Sequence, residues 1–254
     1  MPAKKKLRFA DRVIGNIADL LSALEELPLD EIIWFRGQSE KGWPLVPSIG
    51  RAPPGIAAEM DYIKRFKQNA GRFVGVRPQT TWDWLMLMQH HRVHTRLLDW
   101  TESPLVGLYF AVRRRPDEDG CLWCLSPAKL NAHSNLTYQH APELPTFAEE
   151  LALEGYSPET ISSKRLAGVN PIAVIGPRDT PKMYAQLGTF TLTHADQIPI
   201  ERVGTGKHVW RYIVPAAAKE VMRRQLAVLG INRLTLFPEL DNVARLVMKA
   251  EDDD

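Results

Sequence analysis

The sequence predicts one α+β domain with a mixed, largely antiparallel sheet flanked by helices. Runs of β-branched and aromatic residues, which indicate strands, are interleaved with segments whose apolar residues recur at helical spacing. The interleaving is irregular, unlike the steady strand–helix alternation of a doubly wound parallel fold. No internal repeat or linker-like stretch divides the chain, so residues 1–254 are expected to form a single domain.

Local signals place the elements of the N-terminal half. Apolar residues at helical spacing predict helices over about 16–26, 57–73, 82–91 and 105–114. β-Branched and aromatic content predicts strands over 31–36 and 120–126. Pro28 ends the first helix, Gly37 closes the first strand, and Thr81 and Ser103 are the expected N-caps of the last two helices.

The C-terminal half is predicted by the same signals. Residues 127–170, rich in proline and small polar residues, are expected to be an excursion from the core. Strands are predicted over 171–175, 189–192 and 208–214. Helices are predicted over 216–229, with Gly230 as the C-cap signal, and over 240–249.

Composition indicates a soluble globular protein and excludes several classes. Hydrophobic residues make up 44% of the chain, and 32 Lys and Arg face 30 Asp and Glu, so no strong overall field attracts nucleic acid or a membrane. A local basic rim including Arg113–Arg115 stays open beside the alternative of a solvated surface. The two cysteines, Cys121 and Cys124, fit a strand in a cytoplasmic protein better than a zinc site. No apolar run approaches the ~18 residues of a membrane span, so no membrane partner is expected.

The most informative stretch is residues 89–102, which hold three His, two Arg, two carboxylates, two Thr and a Gln between apolar flanks. Ionisable groups placed between buried elements are costly unless they are paired. The stretch is therefore either a satisfied structural network or a working site. Arg36, at the end of an apolar strand, poses the same choice, since a buried guanidinium requires an anion. Gly37 beside it would let a ligand approach the backbone.

Four ordered blocks resemble the FRG domain family. They are Trp34-Phe35-Arg36-Gly37-Gln38 with Leu45-x-Pro47-Ser48-x-x-Arg51 behind it, Gln89-His90-His91 through Thr95-Arg96-Leu97-Leu98-Asp99-Trp100-Thr101 to Ala111, Ala185-Gln186-x-Gly188-x-Phe190-Thr191, and Leu229 to Asp241. The resemblance spans about residues 31–245, which sets the expected core. The family usually has Gly and Pro where this chain has Arg92 and His94, so this loop is expected to be more basic and less rigid here.

The order of these elements also resembles ADP-ribosyltransferases, which implies a split sheet of that type and NAD as a substrate. In that family a first-strand Arg or His grips NAD, and a late-strand Glu drives the loss of nicotinamide. The resemblance implies catalytic roles for Arg36, Asp99, Glu102 and Gln186. It also implies that NAD contacts come from Arg36, Gln38, His90, His91, Thr95, Arg96 and Tyr109. Gln186 falls where the acid is expected but cannot act as a base, so the acid moves to Glu102 or Asp99.

Each of these residues also has a structural alternative. Arg36 could pair with Asp99 or Glu31, and Arg96 could pair with Asp99. Glu102 could favour the N-terminus of the following helix, and Tyr109 could pack in the core. His90 and His94 stand four residues apart, a spacing used by metal ligands, but no metal is expected because Val93 to Thr95 should leave the helix.

Three functions follow as hypotheses. The first is an NAD-consuming mono-ADP-ribosyltransferase-like enzyme, a toxin or antiviral defence effector that modifies a nucleic acid or a protein. The second is a non-catalytic module that binds a nucleotide or nucleic acid with the same pocket. The third is a metal-dependent nuclease built on His90, His94 and Asp99. The sequence sets no oligomeric state.

Overall fold

The structure is a computed structural model that describes residues 11–28, 30–51, 53–134, 144–148, 150–163 and 168–248. Parts of the predicted excursion, residues 135–143, 149 and 164–167, lie outside the described residues. Within the described residues no helix has the length and apolarity needed to cross a bilayer.

One sheet runs through the molecule. Its strands are β1 (Arg12–Val13), β2 (Trp34–Gln38), β3 (Leu97–Thr101), β4 (Gly120–Leu125), β5 (Ile172–Val174), β6 (Gly188–Leu192) and β7 (Val209–Val214). The seven strands lie in the order β1-β7-β4-β2-β3-β6-β5. Among these strands of the described residues, β1 and β7 pair in parallel and the other neighbours are antiparallel. The predicted α+β class and the mixed, largely antiparallel sheet are confirmed.

The helices cover the sheet and connect its strands. They are α1 (Ile17–Glu25), α2 (Glu59–Ala70), α3 (Thr81–His90), α4 (Pro104–Val112), α5 (Pro127–Asn131), α6 (Glu150–Leu153), α7 (Pro158–Ser163), α8 (Pro181–Ala185), α9 (Lys219–Val228), α10 (Arg233–Leu236) and α11 (Leu240–Val247). The N-cap of α3 is Thr80, not the predicted Thr81. Thr80 accepts from the Asp83 backbone N–H while the Asp83 carboxylate accepts from the Thr80 N–H, and this capping box fixes the first turn.

The first predicted strand is displaced, and its glycine has a different purpose from the one expected. β2 covers Trp34–Gln38 because these five residues pair with β4, whereas the predicted strand began at residue 31. A Cβ atom on Gly37 would lie 1.9 Å from the Gly107 carbonyl oxygen of α4. Gly37 therefore allows helix α4 to pack directly on the strand, a close approach that only glycine permits.

Two hydrophobic clusters on one face of the sheet frame the site. One contains Phe35 with residues of α1, α4 and α9, and the other contains Phe190 with residues of α2 and α3. Phe35 pairs with Thr101, and Asp99 pairs with Phe190, so all four side chains point to the same face. Asp99 and Thr101 consequently lie on the strip of sheet between the two groups of helices.

Strands β2 and β3 are joined by fewer registered residue pairs than any other neighbouring strands described here, and their junction is called the seam below. These strands share one registered pair, Phe35 with Thr101, whereas β2 pairs with β4 and β3 pairs with β6 over five positions each. Among the described residues no second registered pair joins these two strands. A side chain placed at the seam can therefore reach the neighbouring strand's backbone.

Candidate functional site

A cleft of about 1010 Å³ opens where the two helix groups meet the seam. Its lining comes from β2, β3, the end of α3 with the loop that follows, the end of α4, α8 and the loop over residues 73–79. Functional clefts commonly lie between such packed elements, and this one is at the upper end of the usual size for ligand sites. The remaining question is which chemical groups face it.

Asp99 provides a carboxylate to the cleft from the middle of β3. The Gln89 side-chain amide donates to both of its oxygens, at 3.0 and 2.9 Å. The Gln89 carbonyl in turn accepts from the Thr95 hydroxyl at 2.5 Å, and that hydroxyl accepts from the Leu97 backbone N–H. Because Thr95 is fully buried, this chain of hydrogen bonds fixes the orientation of an exposed carboxylate.

Arg36 reaches the same place across the seam. Its Nη1 atom donates to the Asp99 backbone carbonyl at 2.6 Å, and its Nε is buried without a partner in the described part of the chain. Burial lowers the pKa of the Arg36 guanidinium to about 10, against the opposing effect of the Asp99 charge, and nearby Arg51 lowers it further. Arg36 is still charged at neutral pH, so this cation faces the cleft with only part of its hydrogen-bonding capacity used.

Two histidines follow Gln89 along the chain, and both line the cleft. The rings of His90 and His91 are 5.0 Å apart and nearly perpendicular. Burial lowers the pKa of His90, and the nearby Lys182 and His91 lower it further. His90 is therefore neutral at pH 7, and its Nδ1 is buried without a partner among the described residues. A neutral imidazole can donate to or accept from a ligand hydroxyl.

A second group of cations lies around Phe237. The Lys182 Nζ atom is 5.6 Å from the centre of the Phe237 ring, and the Arg113 guanidinium carbon is 5.2 Å from it. Burial lowers the pKa of Lys182, the Asp99 and Glu239 charges raise it, and the charges of Arg92 and Arg113 lower it. No Asp or Glu of the described residues forms an ion pair with the Lys182 ammonium.

Positive charge dominates the cleft. Its lining includes seven permanent cations, namely Arg36, Arg51, Arg77, Arg92, Arg113, Arg114 and Lys182. It includes three carboxylates, Asp83, Asp99 and Asp179. Asp83 is already engaged by the backbone N–H groups of Gln79 and Thr80 at the start of α3. An excess of cations with low-dielectric walls attracts an anionic ligand.

The structure brings most of the sequence-predicted site residues into this one cleft. Those that line it are Arg36, Gln38, His90, His91, Asp99 and Gln186. Gln38 is buried and accepts from the Trp123 indole N–H at 2.9 Å, while the Gln186 amide donates to the Leu236 carbonyl at 3.0 Å. Thr95 does not line the cleft, but its hydroxyl donates to the side-chain carbonyl of Gln89, which does.

Three other predicted residues lie outside the lining. Arg96 is fully buried, with Nη2 on the Glu59 carboxylate and Nη1 donating to the Tyr156 carbonyl at 3.0 Å. Glu102 forms a 2.6 Å ion pair with Arg178. Tyr109 packs in the cluster of α1, α4 and α9.

Two predicted pairings are wrong. Arg96 does not pair with Asp99, because residues three apart on an extended chain point to opposite faces of the sheet. Arg36 does not pair with Glu31, which instead accepts from Lys129 at 2.6 Å. What Arg36 contacts is the Asp99 carbonyl and not its carboxylate.

The described residues offer no ligand set for the metal-dependent nuclease hypothesis. Within the ranges that the structure describes, no three His, Cys, Asp or Glu side chains come together as a metal ion would require. Asp99 is held instead by a neutral amide.

Sequence reasoning assigned no site role to several residues that line the cleft. Arg51 stood in the first resembling block, so a signal for it existed. Gln89 stood in the polar stretch, but its link to Asp99 depends on how a helix end meets a strand. Phe237, which follows α10, stood in the fourth resembling block, whereas Lys182 of α8 stood in none. No local pattern connects either residue to the cleft residues more than eighty positions earlier.

Residues 31–120 match the family model described as FRG domain. The matched range runs from three residues before β2 to the first residue of β4, so it includes Arg36, the polar stretch and helices α2 to α4. The two resembling blocks after residue 120 lie beyond it. No curated protein matches the chain, and no solved structure matches it.

Proposed function

We propose that this chain, which belongs to the FRG domain family, binds NAD in the cleft and cleaves the bond between its ribose and nicotinamide. The enzyme class would be that of the ADP-ribosyltransferases. The observation that supports this proposal best is one wall of the cleft, where a carboxylate of fixed orientation, Asp99, interacts electrostatically with both Arg36 and Arg51.

The cations account for binding. A diphosphate carries two negative charges and several acceptor oxygens, and a guanidinium fork with unused donors matches that geometry. Arg36 has a buried Nε without a partner in the described part of the chain. Burial lowers the pKa of Arg51, but its charge persists, and its Nε donates to the Val46 carbonyl. Neutral His90 would hold a ribose hydroxyl.

Asp99 accounts for the chemistry. When the C–N bond to nicotinamide breaks, its electron pair leaves with nicotinamide, and positive charge develops on the ribose. A carboxylate whose orientation is already fixed stabilises that charge without having to reorient. The acceptor, a nucleobase, a protein side chain or water, then bonds to the ribose carbon and loses a proton. Gln186, as a second cleft residue, would orient the ribose.

The geometry favours Asp99 over Glu102 as the acid. Asp99 lines the cleft, whereas Glu102 is paired with Arg178 outside its lining. The late-strand Glu of the resembling enzymes would thus be replaced here by an aspartate on an earlier strand. An enzyme that consumes NAD in this way in the cytoplasm would act as a toxin or as an antiviral defence effector.

The test is to incubate the purified protein with NAD and to measure nicotinamide release by chromatography. We expect Asp99→Asn to lower kcat by about a hundredfold, since a developing charge loses its counter-charge. Arg36→Gln should raise KM by tenfold or more, the cost of one charge-assisted phosphate contact. Glu102→Gln and the remote surface variant Arg223→Gln should retain activity. Absence of nicotinamide release by the unsubstituted protein, with nucleic acid and protein acceptors supplied, would refute the proposal.

The hydrogen bonds from Gln89 to Asp99 also support a second function. Both Asp99 oxygens are engaged by Gln89, so Asp99 could serve to shape the pocket of a module that binds a nucleotide without turnover. Calorimetric binding of NAD without any nicotinamide release, weakened by Arg36→Gln but not by Asp99→Asn, would support this alternative.

A further inference from the structure

A cluster of three cations is separate from the group on which the proposed NAD contacts rest. Lys182 and Arg113 lie beside the Phe237 ring, and the charge of Arg92 acts on Lys182. Arg36 and Arg51 belong to β2 and to the loop behind it, whereas the second cluster comes from α8, the end of α4 and the loop after α3. Asp99 acts on both groups, because its charge raises the pKa of Arg36 and of Lys182. The cleft therefore has two positive regions with one carboxylate common to both.

Like charges placed close together repel each other, so their proximity beside the Phe237 ring requires a stabilising interaction. Lys182 is half-buried and has no carboxylate partner among the described residues. The Phe237 ring face stabilises the two cations near it, but a cation–π contact is worth only about 1 kcal/mol at such sites. An ammonium with no ion pair in the described part of the chain, beside two guanidiniums, favours a bound anion, and a phosphate group has the matching charge and acceptor oxygens.

Backbone hydrogen bonds fix the position of the segment that carries Arg113. The buried Lys219 ammonium donates to the backbone carbonyls of Ser39, Arg114 and Arg115, at 2.8, 3.0 and 2.8 Å. These bonds tie the basic segment at the end of α4 to the end of β2. Arg113 is consequently presented from a fixed backbone, which lowers the ordering cost of binding an anion.

The rim of the cleft repeats the combination of a cation and an aromatic ring. Arg115 lies 5.2 Å from the centre of the Trp43 ring, and Arg72 lies 4.6 Å from that of Phe73. Trp43 and Phe73 line the cleft and are 37% and 74% exposed. Exposed rings beside cations, along a groove, are how proteins bind single strands, since bases stack on the rings and phosphates meet the cations. A double helix would keep its bases stacked on each other and could not use these rings.

We infer that the cleft has a second subsite, formed by Lys182, Arg113 and Arg92 beside Phe237, that holds a backbone phosphate of a single-stranded nucleic acid. The strand is the acceptor, and its neighbouring bases contact the rings of Trp43 and Phe73 at the rim. This inference rests on the proposed nucleotide cleft but not on turnover of NAD.

Binding is measured by fluorescence anisotropy with labelled oligothymidine and oligouridine of about ten nucleotides, the length of a typical single-strand site. NAD is left out, and the ionic strength is varied. The unsubstituted protein should bind these probes and should bind a duplex of equal length at least tenfold more weakly. Lys182→Gln should weaken strand binding about tenfold and reduce the salt slope by somewhat less than one ion, as expected when one phosphate contact is lost. Lys182→Arg should restore most of the affinity.

Variants at the other end of the cleft separate this inference from the proposed function. Arg36→Gln should weaken NAD binding more than strand binding, and Lys182→Gln should do the opposite. Arg223→Gln, which removes a cation from the remote helix α9, should change neither. No strand binding at low ionic strength, or equal losses for Lys182→Gln and Arg223→Gln, would overturn the subsite. If Lys182→Gln weakens the binding of pyrophosphate and NAD but not of oligonucleotides, the cluster serves a small nucleotide and the strand is excluded. A failure of nicotinamide release alone would leave these binding results intact.

Discussion

Arg36 and Arg96 are two desolvated guanidiniums with opposite environments. Burial lowers the pKa of Arg36 to about 10 and that of Arg96 to about 9. Arg96 is 1% exposed and neutralised by Glu59, which is equally buried, whereas Arg36 donates to a backbone carbonyl and faces a cleft. Loss of solvent is thus common to a structural cation and to a candidate binding cation. What separates the two is whether a carboxylate has been placed against the charge.

The largest expected effect comes from removing the two charges in turn. Arg96→Met leaves Glu59 buried without its partner and should lower the free energy of unfolding by roughly 3–5 kcal/mol. Arg36→Met removes a cation that has no paired carboxylate in the segments the structure describes, and it should change that free energy by about 1 kcal/mol or less. Urea denaturation followed by tryptophan fluorescence measures both.

Two controls make this comparison sharper. Arg65→Met breaks the exposed Arg65–Asp61 pair on α2 and should cost about 0.5 kcal/mol or less. The double substitution Arg96→Met with Glu59→Leu should recover much of the lost stability, because no unpaired charge remains. If Arg36→Met is as destabilising as Arg96→Met, Arg36 is structural, and the distinction between the two arginines fails.

The fold was predictable from the sequence to the extent that local signals decide it. The helix predicted over 16–26 is α1, with Asn16 as its N-cap, and the strand predicted over 208–214 is β7. Both depend on apolar spacing and on residues next to one another in the chain. Strand β1 was missed because it consists of two exposed residues whose structure comes from pairing with β7.

The site was predictable in its parts but not in its pairings. Arg36 and His90 do share one cleft, as the polar composition of their segments indicated. The partner of Arg96 could not be found, because Glu59 is 37 positions away and is brought close by the packing of α2. Asp99 was the nearer carboxylate along the chain, but it points to the opposite face of β3.

A smaller effect is expected from a second carboxylate beside Asp99. In Gln89→Glu the new side chain can still accept from Thr95, but it repels Asp99 where the amide had donated. The pKa values of this pair should rise, so the folded variant binds a proton that the unfolded chain releases. Its unfolding free energy should therefore increase as the pH falls from about 7 to about 5. NAD affinity should be about tenfold lower at neutral pH and should recover on acidification.

Gln89→Met is the matched control for that change. It loses the hydrogen bonds of Gln89 to both Asp99 and Thr95, at a cost of about 1–2 kcal/mol, but adds no charge. Its stability and its NAD affinity should lack the pH dependence of the Glu variant. Calorimetric titrations at two pH values decide the matter. A Glu variant that binds NAD as well as the original protein would show that negative charge near Arg36 does not compete with the ligand.

The smallest effect concerns Arg92, a third arginine. Its side chain is exposed, and its backbone conformation is unfavourable for a residue other than glycine. Its φ angle is 62°, in the left-handed region that favours glycine, and the FRG resemblance placed a glycine at this position. Arg92→Gly should therefore be more stable than Arg92→Ala by about 1 kcal/mol, since both lose the side chain but only glycine relieves the strain. Differential denaturation of the two variants measures this difference. If they are equally stable, the loop carries no strain, and Arg92 has no backbone cost that a binding role would offset. A glycine variant that is more stable than the original protein but binds oligonucleotides less tightly would show that the charge of Arg92 serves binding at the expense of stability. Such a result would extend to Arg92 the conclusion drawn for Arg36, that a cation without a carboxylate partner among the described residues has a binding role.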